Sequence, residues 1–187
     1  MARQSNNQIM KGTRGMFGKQ VVFKVRKGKQ ILAAPPNFDE DRIPTPNQQA
    51  AQERFKFASD YANAAITDAT LKEAYQKVAG KRQSAHNMAF KDGYNPPEIK
   101  EIVSIGYKGI IGDIIVVHAQ DDFKVAEVYI ALHDGAGKLL ENGKAVSKHG
   151  VVWVYTATSA NPNFEGCKIV ATAFDLPRNV SVMEVKL

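Results

Sequence analysis

The stretch from Ile114 to Asp175 constrains the fold most, because apolar and polar residues alternate along it with a period of two. Side chains of a β-strand point alternately to its two faces, so this pattern predicts strands with one buried face. Turn-forming residues such as Asp, Asn and Gly separate the alternating segments at the spacing of an antiparallel sandwich. The alternation predicts these residues for the core: Val117, Ile130, Trp153, Tyr155, Ile169 and Ala171.

The C-terminal half divides into seven predicted strands that begin after Pro96 and Pro97. Proline cannot donate to a β-ladder and biases the preceding residue away from helix, so this pair marks a domain boundary. Seven short strands in one domain predict two antiparallel sheets packed face to face. The predicted strands are residues 99–107, 113–119, 125–133, 138–146, 151–159, 167–174 and 180–187.

A helical segment precedes this boundary and is predicted over residues 45–95. Thr45 supplies an N-cap, Pro46 suits the first helical position, and Gln48 completes a capping box. Asp68 is placed to cap a second helix, and residues 84–90 are predicted to add a short third turn that ends before the turn pair Asp92-Gly93. Apolar residues recur at helical spacing, including Phe57 and Tyr61, which predicts a packed helical layer.

The N-terminal segment, residues 1–44, is predicted to be a glycine-rich basic arm with a β-hairpin and a proline-rich linker. The hairpin consists of residues 21–26 and 29–33 joined by Lys27-Gly28, and the linker contains the acidic cluster 39–41. Eight Lys and Arg residues and no acidic residue precede Asp39. The chain is therefore expected to be an α+β protein: this arm, the helical segment 45–95, and a seven-stranded sandwich over 96–187.

Residues 98–187 also contain turn and strand motifs that occur together in one kind of β-domain. They are Tyr107-Lys108-Gly109, Gly112-Asp113, Asp121-Asp122, Trp153 with Tyr155, and the 173–179 segment that ends in Arg178-Asn179. This half resembles a bacterial immunoglobulin-like domain, with Arg178 where such domains carry a turn glycine. The resemblance implies an immunoglobulin-like sandwich that serves as a spacer, an adhesive module or an assembly unit. The N-terminal half resembles small uncharacterised bacterial and prophage proteins.

The sequence predicts no catalytic residue and no bound cofactor. The four histidines lack the spacing of a metal site, and Cys167 falls on the inward side of its strand. Aspartates at strand ends leave two interpretations open: they cap turns, or they gather at one end of the sandwich as calcium ligands. These aspartates are Asp113, Asp121, Asp122 and Asp175.

Charge asymmetry and the hairpin together favour a protein that assembles with copies of itself or with other structural proteins. Residues 1–97 carry sixteen Lys and Arg against eight Asp and Glu, whereas residues 98–187 carry nine against eleven. An apolar strand face on a basic arm suits docking on a neighbouring subunit, which would build a filament or another homopolymer. The alternative is that the hairpin folds back and covers the helices of its own chain. The predicted interface consists of Gly15, Phe17, Gly18, Val21, Phe23, Val25, Arg26 and Ile31.

Two alternatives remain open at this stage. An immunoglobulin-like sandwich also serves as an adhesive or ligand-binding module, and Phe17 and Phe23 among the cations of the arm could stack bases of a nucleic acid. The chain contains no apolar run of about 18 residues, so no membrane span is predicted. The N-terminus has no signal-peptide core, so the chain is expected in the cytoplasm, or in an extracellular or virion-like structure that it reaches by another route.

Overall fold

The computed structural model of the chain describes residues 2–4 (backbone only), 12–36 and 43–187. Within these ranges the protein is α+β, as predicted, with three helices and three four-stranded antiparallel sheets. The chain forms two compact units, Met1–Thr45 and Pro46–Leu187. The helices and the C-terminal strands therefore belong to one unit, and the N-terminal sheet forms the other.

The N-terminal unit contains the predicted hairpin, extended by a strand on each side. Its strands are β1 (Ala2–Gln4), β2 (Gly15–Phe17), β3 (Val21–Arg26) and β4 (Lys29–Ala33), in the order β1-β4-β3-β2. Lys27 and Gly28 join β3 to β4 with φ angles of 51° and 74°, as a two-residue hairpin turn requires. The segment at Gly15, part of the glycine-rich arm, pairs with β3 opposite Phe23 and forms an edge strand. The predicted acidic cluster 39–41 lies outside the described residues.

Three helices follow: α1 (Pro46–Ala65), α2 (Ala69–Val78) and α3 (Ala85–Tyr94). The Asp68 carboxylate accepts hydrogen bonds from the N–H groups of Thr70 and Leu71, so its predicted capping role is confirmed. Ser84 caps α3 in the same way through the N–H of Asn87. The prediction for α3 was too short, because the helix continues past residue 90 for one further turn.

The extra turn of α3 contains Asp92 and Gly93, which the sequence analysis treated as turn residues. A Cβ atom on Gly93 would lie 3.2 Å from the Cα of Ala58 and 3.2 Å from Cδ1 of Tyr61. Glycine therefore allows α1 and α3 to approach closely at this point. Ala62 and Ala65 form the buried face of α1 with Ala58, whereas Phe57, expected on the packed stripe, is 45% exposed.

Two sheets form a sandwich around one core in the C-terminal part of the second unit. Its strands are β5 (Glu98–Val103), β6 (Ile114–Gln120), β7 (Val125–His133), β8 (Leu139–Lys144), β9 (Val146–His149), β10 (Val152–Thr156), β11 (Lys168–Asp175) and β12 (Val180–Lys186). The sheet orders are β5-β6-β10-β9 and β12-β11-β7-β8. The core contains Val117, Ile130, Trp153, Tyr155, Ile169 and Ala171.

The strand count differs from the expected seven, because residues 138–146 form two strands instead of one. β8 belongs to one sheet and β9 to the other, so the chain crosses between the sheets at Ala145. Ala145 is only 3% exposed, and its N–H group donates a hydrogen bond of 2.8 Å to the carbonyl of Val128. Burial and backbone pairing hold the crossing in place.

Among the described helices, none has the length and apolarity that crossing a bilayer would require.

We expect Gly93→Ala to destabilise the protein by up to about 2 kcal/mol. Overpacking costs about 1–3 kcal/mol and outweighs the roughly 1 kcal/mol that alanine gains over glycine in helix propensity. Chemical denaturation would measure the change. Ala64→Gly, on the exposed side of α1, is the control that measures propensity alone. A Gly93→Ala protein that is more stable than the wild type would show that α1 and α3 have room for a methyl group.

Candidate functional site

Three carboxylates from distant parts of the chain meet between the helices and one end of the sandwich. Asp92 lies in α3, Asp121 directly follows β6, and Asp175 is the last residue of β11. One oxygen of each lies within 4.8 Å of the others. Asp92 and Asp175 are fully buried, and Asp121 is half-buried. We name these three residues the carboxylate cluster.

Helical spacing places Asp92 in the interior. It follows Ala85, Met88 and Ala89 at the intervals that line one face of a helix, and those three residues are buried. The hydroxyl of Tyr75 donates a hydrogen bond of 2.5 Å to Oδ2 of Asp92, and the hydroxyls of Tyr61 and Tyr75 lie 2.7 Å apart. Tyr75 therefore holds one oxygen of this carboxylate and is itself hydrogen-bonded to Tyr61.

Turn geometry positions the other two carboxylates. Oδ2 of Asp121 accepts hydrogen bonds from the N–H groups of Phe123 (3.4 Å) and Lys124 (3.1 Å) in the turn after β6. Oδ1 of Asp175 accepts a 2.6 Å hydrogen bond from the N–H of Asn179 across the β11–β12 turn. Arg178 adopts a left-handed conformation (φ 72°) in this turn, at the position where the related motif carries glycine.

The side chain of Asn179 links the sandwich to the end of α3. Its Nδ2 donates to Oδ2 of Asp175 at 2.8 Å and faces the carbonyl oxygens of Asp92 and Gly93 at 3.2 and 3.3 Å. These carbonyls belong to the last turn of α3, where the helix leaves its acceptors unpaired. The turn that carries Asp175 therefore also caps the helix that carries Asp92.

Two carboxylate oxygens in the cluster have no hydrogen-bond donor among the described residues, Oδ1 of Asp92 and Oδ1 of Asp121. Burial, together with a hydrogen bond that its protonated form shares with Asp121, raises the pKa of Asp92 to about 8, and the hydrogen bond from Tyr75 opposes the shift. Burial also raises the pKa of Asp175 to about 6, against the lowering effect of Asn179. The cluster therefore attracts a positive charge, either a proton or a cation.

The four aspartates that the sequence suggested as calcium ligands separate into three places. Asp121 and Asp175 meet in the cluster. Asp113 precedes β6 while Asp121 follows it, so the seven-residue strand keeps them roughly 20 Å apart. Asp113 instead accepts the N–H groups of Lys108 and Ile110. The Asp122 carboxylate is outside the cluster and accepts hydrogen bonds from Lys91 at 2.7 Å and Asn95 at 2.6 Å.

Asp92 is the member that sequence analysis missed. It was assigned to a turn because Asp-Gly is a common turn pair, yet it continues the buried spacing of Ala85, Met88 and Ala89. That spacing was the available signal. Of the two interpretations of the strand-end aspartates, turn capping describes Asp113, Asp121 and Asp175, whose carboxylates accept hydrogen bonds from turn N–H groups. Asp121 and Asp175 also gather at one end of the sandwich, where Asp92 joins them, whereas Asp113 lies at the other end of β6.

The predicted assembly residues divide between the two faces of the N-terminal sheet. Strand register places Phe17, Val21, Phe23 and Val25 on one face, which we name the apolar face, together with Leu32. Arg26 and Ile31 lie on the opposite face with Lys24 and Lys29, which we name the basic face. Gly15 and Gly18 have positive φ angles of 106° and 58° and shape β2 and the turn that follows it.

No family model and no curated protein matches this sequence. Among solved structures, the chain is similar to an engineered protein whose crystal structure is known, with 12% identity and a TM-score of 0.31. The match covers 50% of this chain and 19% of that protein, so the chain spans about a fifth of its length. A likeness at this level carries no argument about fold or function.

We predict that, with EDTA present, the free energy of unfolding falls as the pH rises from about 5 to about 8. The pKa of Asp92 is raised to about 8 in the folded protein, whereas an unfolded aspartate titrates near 4. The folded state thus holds a proton that the unfolded chain has lost, and the resulting stability disappears as the pH approaches 8. The slope for one such proton is about 1.4 kcal/mol per pH unit.

Asp92→Asn tests this explanation, because an asparagine can accept the hydrogen bond from the Tyr75 hydroxyl and carries no charge. We expect denaturant unfolding to show a flatter pH profile for this variant and greater stability than the wild type at about pH 8. The difference between the two pH profiles removes the contributions of groups that titrate alike in both proteins. One such group is Asp122, whose pKa is lowered by Lys91 and Asn95 despite its burial. Parallel profiles for the two proteins would contradict a buried proton on Asp92.

Proposed function

We propose that this protein is a non-enzymatic structural protein that self-assembles, with the apolar face of its N-terminal sheet docking on a neighbouring copy. The observation that carries the proposal is that no residue from 12 to 36 is buried, although these residues form three strands of a four-stranded sheet. A sheet of this size needs a covered hydrophobic face to be stable in water.

The apolar face supplies such a surface. Phe17 is 74% exposed and Val25 is 40% exposed, and both lie beside half-buried Val21 and Phe23. No charged residue from 12 to 36 falls on this face of the strands, whereas the cations line the basic face. Aromatic and aliphatic side chains grouped without charge are typical of the centre of a protein interface.

The basic face supports an acidic neighbour as well. Arg26 lies directly opposite Lys29 on the paired strands β3 and β4, and like charges at such positions destabilise a sheet unless an anionic group approaches them. Residues 98–187 carry a net excess of acidic groups, so a second copy of this chain provides complementary charge. Contacts of this heterologous kind repeat without closing and produce a filament or another homopolymer.

We also propose that the sandwich is immunoglobulin-like. In chain order the strands β5 to β12 take the letters A, B, C, C′, D, E, F and G, and the two sheets then read A-B-E-D and G-F-C-C′. That arrangement supports a constant-type immunoglobulin sandwich with one added strand. It leaves β9 and β12 at sheet edges, with Val146 and Val182 both 61% exposed, which a neighbouring strand could pair with.

An adhesive or ligand-binding module is the second candidate, because one face of the sandwich carries a shallow depression of about 420 Å³. Tyr129 and Phe174 form an edge-to-face pair there, beside Glu127 and Arg178, whose charged groups lie 3.2 Å apart.

Nucleic-acid binding has less support. Phe17 and Phe23 lie on the face opposite Lys24 and Arg26. A single strand of nucleic acid therefore could not stack its bases on the aromatic rings and place its phosphates against the cations on the same surface.

We expect Phe17→Glu to weaken self-association at least tenfold, a change of about 1.4 kcal/mol. The substitution places a charge in the middle of an apolar contact, which costs desolvation energy. Light scattering coupled to size exclusion, over a range of protein concentrations at low salt, would measure the mass distribution. Growth of the mass beyond a dimer would distinguish a filament from a closed pair.

Gln20→Glu is the matched control. Gln20 is an exposed residue of the turn between β2 and β3, outside the paired strands, and its change to Glu alters the net charge by the same one unit as Phe17→Glu. Assembly that survives Gln20→Glu but not Phe17→Glu identifies the docking face. A wild-type protein that stays monomeric at high concentration and low salt would sink the proposal, as would equal losses in both variants.

A further inference from the structure

We propose that the carboxylate cluster of Asp92, Asp121 and Asp175 is a binding site for a hard divalent cation, with Ca²⁺ as the best-suited ion. The cluster lies in the second unit of the chain. The inference is therefore independent of the proposed assembly through the N-terminal sheet.

Donor chemistry favours this class of ion. Three carboxylates supply only oxygen ligands, and Ca²⁺ binds six to eight oxygens in flexible geometry at about 2.3–2.6 Å. Oxygens that share such an ion can be separated by no more than about twice that distance, and the cluster oxygens lie within 4.8 Å of one another. Mg²⁺ requires a stricter octahedron and gives up its waters reluctantly, so a partly dehydrated site selects against it.

The unpartnered oxygen of Asp92 is the observation that separates this cluster from ordinary turn aspartates. Asp92 is 0% exposed, and no described residue donates a hydrogen bond to its Oδ1. Buried polar atoms almost always have a partner, because an unsatisfied one costs about 1–3 kcal/mol. Oδ1 of Asp121 is also unsatisfied. Both atoms belong to carboxylates that converge on one point, where a proton shared by Asp92 and Asp121 or a single bound ion would satisfy them.

Asp121 connects the cluster to the surface. It lines a cleft of about 510 Å³ together with Ser147, Trp153 and Lys124, which is a cationic residue at this opening. An ion that enters by this cleft would keep water molecules on that side and so complete its coordination beyond the three carboxylates. Asp92 and Asp175 lie deeper and would supply the dehydrated side of the site.

The local field also favours a cation. The cluster lies at the C-terminal end of α3, where the helix dipole is negative and its last carbonyls converge on Asn179. Lys91, the neighbouring cation on α3, is engaged by Asp122 at 2.7 Å and is not among the groups bonded to the cluster. A bound ion would join α3, the β6–β7 turn and the end of β11, and would act as a clamp between the helices and the sandwich.

Thermal unfolding of the full-length protein, stripped with EDTA and titrated with CaCl₂ at about pH 8, tests the site under conditions where protons compete least. A saturating ion should raise the Tm by about 5 °C or more. Asp92→Asn and Asp121→Asn should each reduce the apparent Ca²⁺ affinity at least tenfold. Asp113→Asn removes a carboxylate at the opposite end of β6 from Asp121, outside the cluster, and should leave the affinity unchanged.

Terbium luminescence gives a second readout, since Tyr75 contacts Asp92 and would sensitise Tb³⁺ bound there. We expect luminescence that Ca²⁺ displaces, that Mg²⁺ displaces poorly, and that both cluster variants lose. Asp92→Asn is expected to remain folded in EDTA, so loss of binding would not reflect unfolding. Absence of any Ca²⁺-dependent Tm shift or luminescence in the wild type overturns the proposal, and so does binding that persists in both cluster variants.

Discussion

The contact between the last turn of α3 and the end of the sandwich determines how the larger unit is organised. Asn179 donates to Asp175 in its own turn and faces the terminal carbonyls of α3, so one side chain satisfies groups from both layers. Gly93 lets the same helix turn approach α1 closely. The helices consequently pack as part of the same unit as the strands, and Asp92 is carried into the interior by this arrangement.

Burial of three carboxylates at that contact creates an electrostatic problem that the protein must solve. The like charges oppose one another, and the C-terminal end of a helix adds further negative potential. Tyr75 and the turn N–H groups satisfy some oxygens but bring no full positive charge. A proton on Asp92 or a shared divalent cation would each compensate the charge. Polar networks of this kind stabilise a structure only when every member finds a partner.

The two units of the chain suggest two separate kinds of interaction. The unit Pro46–Leu187 contains both buried clusters and has a core of its own. The N-terminal sheet places apolar and basic side chains on opposite faces, and its residues 12–36 include no buried side chain. An apolar face without buried side chains is a surface that a partner could use, whereas the carboxylate cluster poses a problem of charge balance inside the second unit.

The sequence by itself determined the elements of local periodicity. Alternation identified the core positions Trp153 and Ile169, capping residues located the starts of α1 and α2, and Lys27-Gly28 defined the hairpin. These features depend on residues that are close in the chain. Residue type and spacing within a short segment determine these features, so they can be predicted without knowledge of the fold.

Only the tertiary structure decided the rest, because it depends on which distant residues meet. The crossing at Ala145 divided one predicted strand between two sheets, and pairing with β3 made the glycine-rich segment at Gly15 a strand. Asp92, Asp121 and Asp175 come from a helix, a turn and a strand end that are separated along the chain by up to 83 positions. Periodicity assigns a residue to a face, but long-range packing alone determines which carboxylates share that face and lose their contact with water.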